Sequence, residues 1–285
     1  MILVTGASGT VGALLVEELR ARDRPVRAML RDVAAASTRW DAKTRPVVAD
    51  FADPASLDAA VAAVDAIYLL AAVHPEMAAH ERNVIDAAAR SDARPRIVLH
   101  AAAGVDARPE GVRFLTAHAR ALDHLRASGL DWTVLAPNGF FQNFLGMAPS
   151  VKAGGIALPA GNAAVSYVDA RDVAAVAAHV LTSDGHAGRI YPVTGPRALT
   201  HGEIAEALGA AANRTVTYRA VTGEQARDAM LAAGLDTWRV DGLVELYGMY
   251  ASGFAARVSD TVPTLLRRPA RSFDEFLAAH PGVFR

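Results

Sequence analysis

Three glycines near the N-terminus have the spacing that a dinucleotide-binding turn requires. Gly6, Gly9 and Gly12 follow an aliphatic run and open a segment whose apolar residues recur at helical spacing. In such a turn the first glycine permits a tight bend, the second lets the backbone approach a pyrophosphate, and the third lets helix and strand pack closely. The predicted cofactor contacts here are Gly6, Ser8, Gly9, Thr10, Val11 and Gly12. The alternative is a tight turn that binds no ligand.

The end of the next predicted strand, Met29-Leu30-Arg31-Asp32, holds the residue that selects the dinucleotide. An acidic side chain there binds a ribose 2′-hydroxyl, whereas a basic side chain accepts a 2′-phosphate. Arg31 occupies this position, and a guanidinium pairs well with phosphate. The sequence therefore favours NADP(H), while Asp32, one residue later, keeps NAD(H) open. The alternatives are a solvated Arg31 and an Asp32 that caps a helix.

Strands and helices alternate through the first half of the chain, as is typical of right-handed βαβ units. The predicted strands cover residues 2–5, 26–30, 45–49, 66–72, 96–101 and 132–135. Further strands are predicted at residues 165–168 and 189–193, and near residues 215–221. The predicted fold class is α/β: a doubly wound parallel Rossmann sheet with a smaller, mostly helical C-terminal substrate-binding part.

The second half of the chain is less regular, and three capping boxes indicate helix starts there. The boxes pair Thr200 with Glu203, Thr222 with Gln225, and Ser272 with Glu275. We expect an NAD(P)-binding Rossmann domain over residues 1–150, completed by strand and helix elements from residues 165–195. Residues 151–285 are expected to form the smaller substrate-binding part, interleaved with the first.

The charge balance and the apolar runs argue against nucleic-acid and membrane partners. The 285 residues include 29 basic and 30 acidic side chains, so no sequence-wide positive field exists to hold nucleic acid. The N-terminus lacks the pattern of a secretory signal, and no apolar run reaches the ~18 residues that a membrane span needs. We expect a cytoplasmic monomer or homodimer that acts on a small molecule, with no nucleic-acid or membrane partner.

Other kinds of catalytic site lack their usual signals. The sequence has no cysteine, and its nine histidines show no His-x-x-x-His spacing, so no metal site is predicted. No G-x-S-x-G elbow is present, which disfavours a hydrolase triad of that type. The glycine turn also lacks the Lys-Ser/Thr ending of a phosphate loop for ATP or GTP.

Several segments, spread over nearly the whole chain, form a specific combination. They are ILVTGASGTVG, VRAMLRD, VVADFADPASL, AIYLL, SGLDWTVLAPNGFFQNF, YVDARDVAAVAAHVL and YPVTGPRALTHGEIAEALGAAANRTVTY. This combination resembles the NmrA-like branch of the atypical short-chain dehydrogenases/reductases. The resemblance implies a Rossmann domain and a smaller part that closes over a substrate cleft. The family contains reductases and also proteins that bind the dinucleotide as redox sensors or regulators.

The resemblance also implies roles for individual residues. The implied adenine contacts are Asp50 and Phe51. The implied wall beside the nicotinamide ribose consists of Leu70, Ala71 and Ala72. The implied loop beside the nicotinamide consists of Pro137, Asn138, Gly139 and Phe140.

The positions of the expected catalytic pair depart from those of related reductases. Their helix after the fifth strand carries Tyr-x-x-x-Lys, in which the Tyr protonates the substrate and the Lys holds the ribose. Here these positions are Phe114 and His118, and the Glu that commonly follows such a His is replaced by Leu122. Since Phe114 supplies no proton, the expected acceptor needs little protonation: a quinone, a conjugated enone, an iminium ion or a triaryl cation.

His118 is the predicted catalytic residue and a further cofactor contact, because an imidazole titrates near neutrality and can relay a proton. The alternative is a core histidine, since His118 shares an apolar helix face with Leu115, Leu122 and Leu125. His100 ends a predicted strand at the edge where ligands bind in such sheets, so it is a second candidate for a site residue. The alternative is a helix-facing or solvated histidine.

Aromatic residues supply candidates for a substrate pocket. The predicted pocket residues are Phe141, Phe144, Trp238, Tyr247 and Tyr250. Packing in the core or at a dimer interface is the alternative for all of them. Three functions follow as hypotheses: an NADPH-dependent reductase, a non-catalytic NADP(H) sensor that regulates a protein partner, and a non-redox or coupling enzyme of small-molecule biosynthesis.

Overall fold

A computed structural model of the chain describes residues 1–32, 44–108 and 111–285. Its strands are β1 (Ile2–Val4), β2 (Val26–Leu30), β3 (Thr44–Val48), β4 (Ala66–Leu69), β5 (Arg96–His100), β6 (Trp132–Pro137), β7 (Gly155–Leu158), β8 (Arg189–Val193) and β9 (Thr217–Ala220). Seven of them form one sheet in the order β3-β2-β1-β4-β5-β6-β8. The five strand pairs from β3 to β6 are parallel, which confirms the predicted Rossmann fold class.

Helices follow the strands in the alternation that the sequence predicts. They are α1 (Thr10–Ala21), α2 (Pro54–Val61), α3 (Met77–Arg90), α4 (Arg113–Ala127), α5 (Ala148–Lys152), α6 (Ala170–Thr182), α7 (His201–Ala212), α8 (Gly223–Ala232), α9 (Thr237–Ala251), α10 (Thr261–Leu266) and α11 (Phe273–Ala278). The three predicted capping boxes at the starts of α7, α8 and α11 are confirmed. In the part of the chain that the structure describes, no helix is both long enough and apolar enough to cross a bilayer.

The central strands are buried because parallel strands are covered by helices on both faces. All four residues of β4 are buried, as are all three of β1. Helix α1 buries one apolar side, with Val11, Leu15 and Leu19 inside. This packing fixes where each strand ends, and the carboxyl ends of parallel strands share one edge of the sheet.

Two short regions differ from the sequence-based expectation. Residues 165–168 were predicted as a strand, but their backbone makes only isolated bridges, at Val165 with Leu199 and at Val168 with Phe140. The run therefore does not form a ladder, and that prediction is wrong. The sequence pattern does not predict strand β7. It pairs in parallel with β9, and the two form a separate two-stranded sheet.

The backbone divides into two compact units. Unit 1 comprises Met1–Arg108, Leu115–Ala136 and Val173–Tyr191. Unit 2 comprises Pro109–Phe114, Pro137–Asp172 and Pro192–Arg285. Unit 1 contains the glycine turn and most of the large sheet, whereas unit 2 contains the small sheet and most of the C-terminal helices.

Candidate cofactor and catalytic site

The glycine turn is sterically closed to any larger residue at its first position. Gly6 has φ +59°, a conformation that side chains disfavour, and a Cβ there would lie 2.9 Å from the Leu70 carbonyl oxygen. Thr5 ties the turn to the segment after β4, because its hydroxyl accepts from the Leu70 N–H at 2.8 Å. The bend after β1 is therefore held by a side-chain hydrogen bond to the chain beyond β4.

The start of α1 is open where a phosphate would bind. A Cβ at Gly12 would lie 2.1 Å from the Gly6 carbonyl oxygen, so only glycine lets the helix approach the turn this closely. Gly9 is the N-cap and provides no side-chain cap, which leaves first-turn N–H groups available to an anion. Ser8, Gly9 and Thr10 are exposed, and Val11 is buried. These residues fit a pyrophosphate.

Arg31 and Asp32 are exposed at the carboxyl end of β2, which pairs in parallel with β1. Because those strand ends share one edge, Arg31 lies on the same edge of the sheet as the glycine turn. This is the edge at which a 2′-phosphate selector is required. The assignment of Arg31 stays a prediction.

The implied adenine loop, Asp50 and Phe51, is held by several hydrogen bonds. The Asp50 carboxylate accepts from the Ala52 N–H at 2.8 Å, and Asn83 Nδ2 donates to the Phe51 carbonyl at 2.9 Å. The Phe51 ring stacks on His80, with centroids 5.7 Å apart. The sequence reasoning missed Asn83, whose only signal was a polar amide on a helix.

The segment after β4 lies at this same sheet edge. Leu70 is half-buried, Ala71 is buried and Ala72 is exposed. The exposed, small side chain of Ala72 suits the wall beside a ribose. The implied role of these three residues remains a prediction.

His118 is 7% exposed and faces an acid that the sequence reasoning missed. Its Nδ1 lies 3.8 Å from Glu81 Oε1, and Glu81 is fully buried. Burial lowers the pKa of His118 to about 4 and raises the pKa of Glu81 well above its usual range. The signal for Glu81 was its position on the buried face of α3, among Met77, Val84, Ile85 and Ala88.

His100, the second candidate, is engaged with a tyrosine. Its Nδ1 lies 2.6 Å from the Tyr68 hydroxyl, and both side chains are buried. Burial, with a smaller contribution from nearby His118, lowers the pKa of His100 to about 3. His100 is therefore neutral at physiological pH, and the Tyr68 contact favours its structural alternative.

In unit 2, the loop implied to lie beside the nicotinamide is tightly held. Asn138 Nδ2 donates to Ser166 Oγ at 2.9 Å and to the Ala255 carbonyl at 2.9 Å. A Cβ at Gly139 would lie 2.6 Å from the Tyr167 ring and 3.0 Å from the Tyr250 hydroxyl. Pro137 ends β6, and the backbone N–H of Asn138 donates to Val193 at 3.0 Å. Phe140 bridges to Val168. The loop has a fixed shape.

The predicted pocket residues Phe141 and Phe144 lie in the core of unit 2. Each is 1% exposed, and each packs on Phe273, with ring centroids 5.1 Å and 5.6 Å apart respectively. Such rings have almost no surface left for a ligand. Their packing alternative is the one that the geometry favours.

The other three predicted pocket residues lie on α9. Trp238 packs on Phe114 with ring centroids 5.4 Å apart, and Tyr247 meets Tyr250 edge to face at 5.8 Å. Burial raises the pKa of Tyr247 to about 12 and raises that of Tyr250 further above its ordinary value. Both phenols stay protonated at neutral pH and can donate hydrogen bonds.

Phe114, at the position where related reductases carry Tyr, packs closely against the backbone of α9. A Cβ at Gly242 would lie 2.3 Å from Phe114 Cε1 and Cζ, so the ring tip abuts the backbone of α9. Neighbouring Arg113 pairs with Glu245 at 2.6 Å.

His74, Glu76 and His80 come together at the start of α3, with ligand atoms within 4.8 Å of one another. Ligands that share a zinc ion at 2.0–2.2 Å lie roughly 3.3–3.6 Å apart. His74 Nδ1 also accepts from the Glu76 N–H at 3.2 Å, and His80 stacks between His74 and Phe51. We assign no metal to this cluster.

Comparison with known proteins gives whole-chain similarities. A family model described as NAD(P)H-binding matches residues 6–184. The chain is 36% identical to an NAD(P)H azoreductase of Xenophilus azovorans, covering 100% of this chain and 99% of that protein. It is 34% identical, with the same coverage, to a (4-alkanoyl-5-oxo-2,5-dihydrofuran-3-yl)methyl phosphate reductase of Streptomyces griseus subsp. griseus.

Two solved reductase structures also match the fold of this chain over almost its full length. The NADPH-dependent quinone oxidoreductase of Escherichia coli, in complex with NADPH, matches with a TM-score of 0.90 and 26% identity, covering 98% of this chain and 99% of that one. Triphenylmethane reductase of Citrobacter sp., in complex with NADP(H), matches with a TM-score of 0.88 and 25% identity over the same shares.

Proposed function

The chain belongs to the NAD(P)H-binding family, in the NmrA-like branch of atypical short-chain dehydrogenases/reductases, and we propose that it reduces an electron-poor conjugated small molecule. It is an NAD(P)H-dependent reductase. The proposed acceptors are azo compounds, quinones and conjugated enones, and the proposed preference is for NADPH. The observation that carries the proposal is similarity over the full length to reductases of such compounds.

The names of the relatives share a chemical feature. The azoreductase acts on an azo group, and the dihydrofuran compound contains a carbon–carbon double bond conjugated with carbonyl groups. Both acceptors delocalise the negative charge that arrives with a hydride, so they need less help from a proton donor than a simple ketone. Phe114, which packs against Gly242 and has no hydroxyl, is compatible with such acceptors.

The bound dinucleotide supplies the hydride, and this chain supplies binding and orientation. We propose that Gly6, Gly9 and Gly12 hold the pyrophosphate through backbone N–H groups and that Arg31 holds the 2′-phosphate. Asp50 and Phe51 would bind the adenine, and Leu70–Ala72 the nicotinamide ribose. In unit 2, Trp238, Tyr247 and Tyr250 are the proposed acceptor contacts, since Phe141 and Phe144 are enclosed in the core.

His118 is proposed to donate a hydrogen bond to the acceptor or to the ribose. Its imidazole is neutral at physiological pH because burial lowers its pKa to about 4. A neutral imidazole carries one N–H and can donate one hydrogen bond. The N–H of His118 would therefore stabilise the reduced acceptor or hold the ribose without bearing a charge.

Deuteride transfer tests the proposal. The protein is incubated with NADPH deuterated at C4, in separate R and S preparations, and with an azo dye, a naphthoquinone, a butenolide and a triarylmethane dye. With the butenolide and the triarylmethane dye, whose reduced products hold the transferred atom on carbon, we expect deuterium in the product from only one of the two preparations. Deuterium transferred to the azo dye or the naphthoquinone exchanges with water, so for these acceptors we measure its loss from the NADP⁺ that forms, again from only one preparation. Product formed without oxidation of NADPH would support the non-redox enzyme. No product, from protein that binds NADPH, would support the sensor.

A further inference from the structure

A buried acid on α3 is not used by the proposed reaction. Glu81 lies on the buried face of α3 between Met77 and Ile85, where apolar residues otherwise pack into unit 1. Its side chain has no exposed surface. A carboxyl group at such a position is costly unless it has a specific partner, so its retention requires a physical reason.

The facing group is the imidazole of His118. Glu81 Oε1 lies 3.8 Å from His118 Nδ1, beyond a normal hydrogen bond but within reach of a small side-chain rotation. Glu81 Oε1, Glu81 Oε2 and His118 Nδ1 are all buried, and none of them makes a hydrogen bond of normal geometry with another described residue. Closing this gap satisfies a buried atom on each side chain at once.

The protonation states of the two groups match. Burial raises the pKa of Glu81 well above its usual range, against a smaller lowering by the Ala71 backbone amide, and this favours the protonated acid. Burial also keeps His118 neutral. The other titratable groups nearby are His100 on β5 and Tyr68 on β4; both are uncharged at neutral pH, and they contact each other. A neutral acid thus offers one O–H to an imidazole nitrogen.

We propose that Glu81 is a positioning residue for His118: its protonated carboxyl donates to Nδ1 and holds the imidazole in the tautomer that carries its proton on Nε2. This arrangement fixes the ring and directs a single N–H away from α3. The inference rests on the proposed function only for the role of His118 in turnover. The pairing itself is a property of unit 1.

Histidine ¹⁵N NMR of the full chain tests the pairing without turnover. The signals of His118 are identified by their loss in His118→Gln. We expect the neutral Nε2–H pattern from pH 5.5 to 8 in the unmodified protein. Glu81→Met removes the donor and should shift His118 toward a mixture of tautomers. Glu81→Gln retains an N–H donor and should restore the Nε2–H pattern.

A matched control lies on the same two helices. Asp86 on α3 contacts His124 on α4 at 2.6 Å near the surface. Asp86→Asn should therefore move the signals of His124 and leave those of His118 unchanged. An unchanged His118 pattern in Glu81→Met would overturn the proposal, as would a protonated Nδ1 or an imidazolium in the unmodified protein.

Kinetics separates this inference from the proposed function. With an acceptor found by deuteride transfer, Glu81→Met should lower kcat about 10-fold and leave KM for NADPH within about twofold, while Glu81→Gln retains most of kcat. If no acceptor is reduced but the tautomer shifts as expected, the proposed function fails and the pairing stands. If deuteride is transferred but the tautomer does not respond, the pairing alone fails.

Discussion

Gly12 in unit 1 and Gly242 in unit 2 each bring a helix into very close contact with another element. A Cβ at Gly12 would lie 2.1 Å from the Gly6 carbonyl oxygen, so backbone meets backbone. A Cβ at Gly242 would lie 2.3 Å from ring atoms of Phe114, so backbone meets a side chain. A ring can tilt or shift within its packing, whereas the turn after β1 is tied to the chain beyond β4. The requirement for glycine is therefore more rigid in unit 1.

Gly12→Ala is the substitution with the largest expected effect. The added Cβ forces α1 away from the turn and misplaces the N–H groups that are proposed to hold the pyrophosphate. We expect the dissociation constant for NADPH to rise by about 100-fold or more, as follows from overpacking of ~3 kcal/mol at a rigid contact. Fluorescence titration measures the binding, and thermal unfolding reports the folded fraction.

Gly202→Ala is the matched control, because Gly202 also lies in the first turn of a 12-residue helix. A Cβ there meets only Thr200 Oγ1, at 3.8 Å, which is an ordinary contact. This variant should bind NADPH as the unmodified protein does. Binding by Gly12→Ala within about threefold of the unmodified protein, less than ~0.7 kcal/mol, would contradict the steric argument.

Gly242→Ala and Gly248→Ala test the softer contact on one helix. Alanine at 242 strikes the Phe114 ring and should destabilise folding by about 1–3 kcal/mol. Alanine at 248 meets open space, so helix propensity should make that variant about 0.5–1 kcal/mol more stable. Urea denaturation measures both. Equal changes in the free energy of unfolding of the two variants would show that the Phe114 ring moves aside without cost. The requirement for glycine at 242 would then be much weaker than the requirement at 12.

The two glycines also explain which parts of the molecule could be predicted from sequence. Gly6, Gly9 and Gly12 act within one strand–turn–helix segment, so their spacing alone predicts the turn. Gly242 acts on Phe114, which is far away in the chain, and no local pattern carries that information. Most strands of the large sheet could be predicted for the same reason. Each is an apolar run followed by a segment of helical spacing, and both lie close together in the chain.

Side-chain partners were the part that sequence could not give. Glu81 was visible only as a charged residue on a buried helix face, and its partner His118 lies on another helix. Phe141 and Phe144 were predicted as pocket residues from their position after a strand, but their packing on Phe273 depends on the C-terminal helix α11. The packing alternative for Phe141 and Phe144 depends on contacts that are distant in the chain, and local periodicity does not encode such contacts.

Arg31→Ala tests whether Arg31 in unit 1 binds the 2′-phosphate of NADPH. Loss of a guanidinium–phosphate contact should raise the dissociation constant for NADPH about 10-fold, or ~1.4 kcal/mol, and leave that for NADH within about twofold. Arg24→Ala is the matched control, since Arg24 precedes β2 and Arg31 follows it. Equal losses for both dinucleotides would refute the 2′-phosphate assignment, and a loss in Arg24→Ala would indicate a general charge effect.

A further prediction concerns how the buried histidines of each unit change the free energy of unfolding with pH. Burial lowers the pKa of His118 in unit 1 and that of His201 in unit 2 to about 4. In the unfolded chain these groups take up protons below pH ~6.5, so they reduce stability as the pH falls from there toward 4. Glu81 acts in the opposite sense, since the folded state keeps a proton that the unfolded chain releases above pH ~4.5.

Glu81→Met removes the pH-dependent contribution of Glu81 to the stability of unit 1. Relative to the unmodified protein, the variant should gain up to about 1 kcal/mol of folding free energy per unit of pH between 5 and 7, because only the unmodified protein loses the acid's contribution as the pH rises. Urea denaturation across that range measures the slope, with Asp86→Asn as the control on the same helix. Parallel pH profiles for the variant and the unmodified protein would show that Glu81 is ionised in the folded state, and the neutral pairing with His118 would then be wrong.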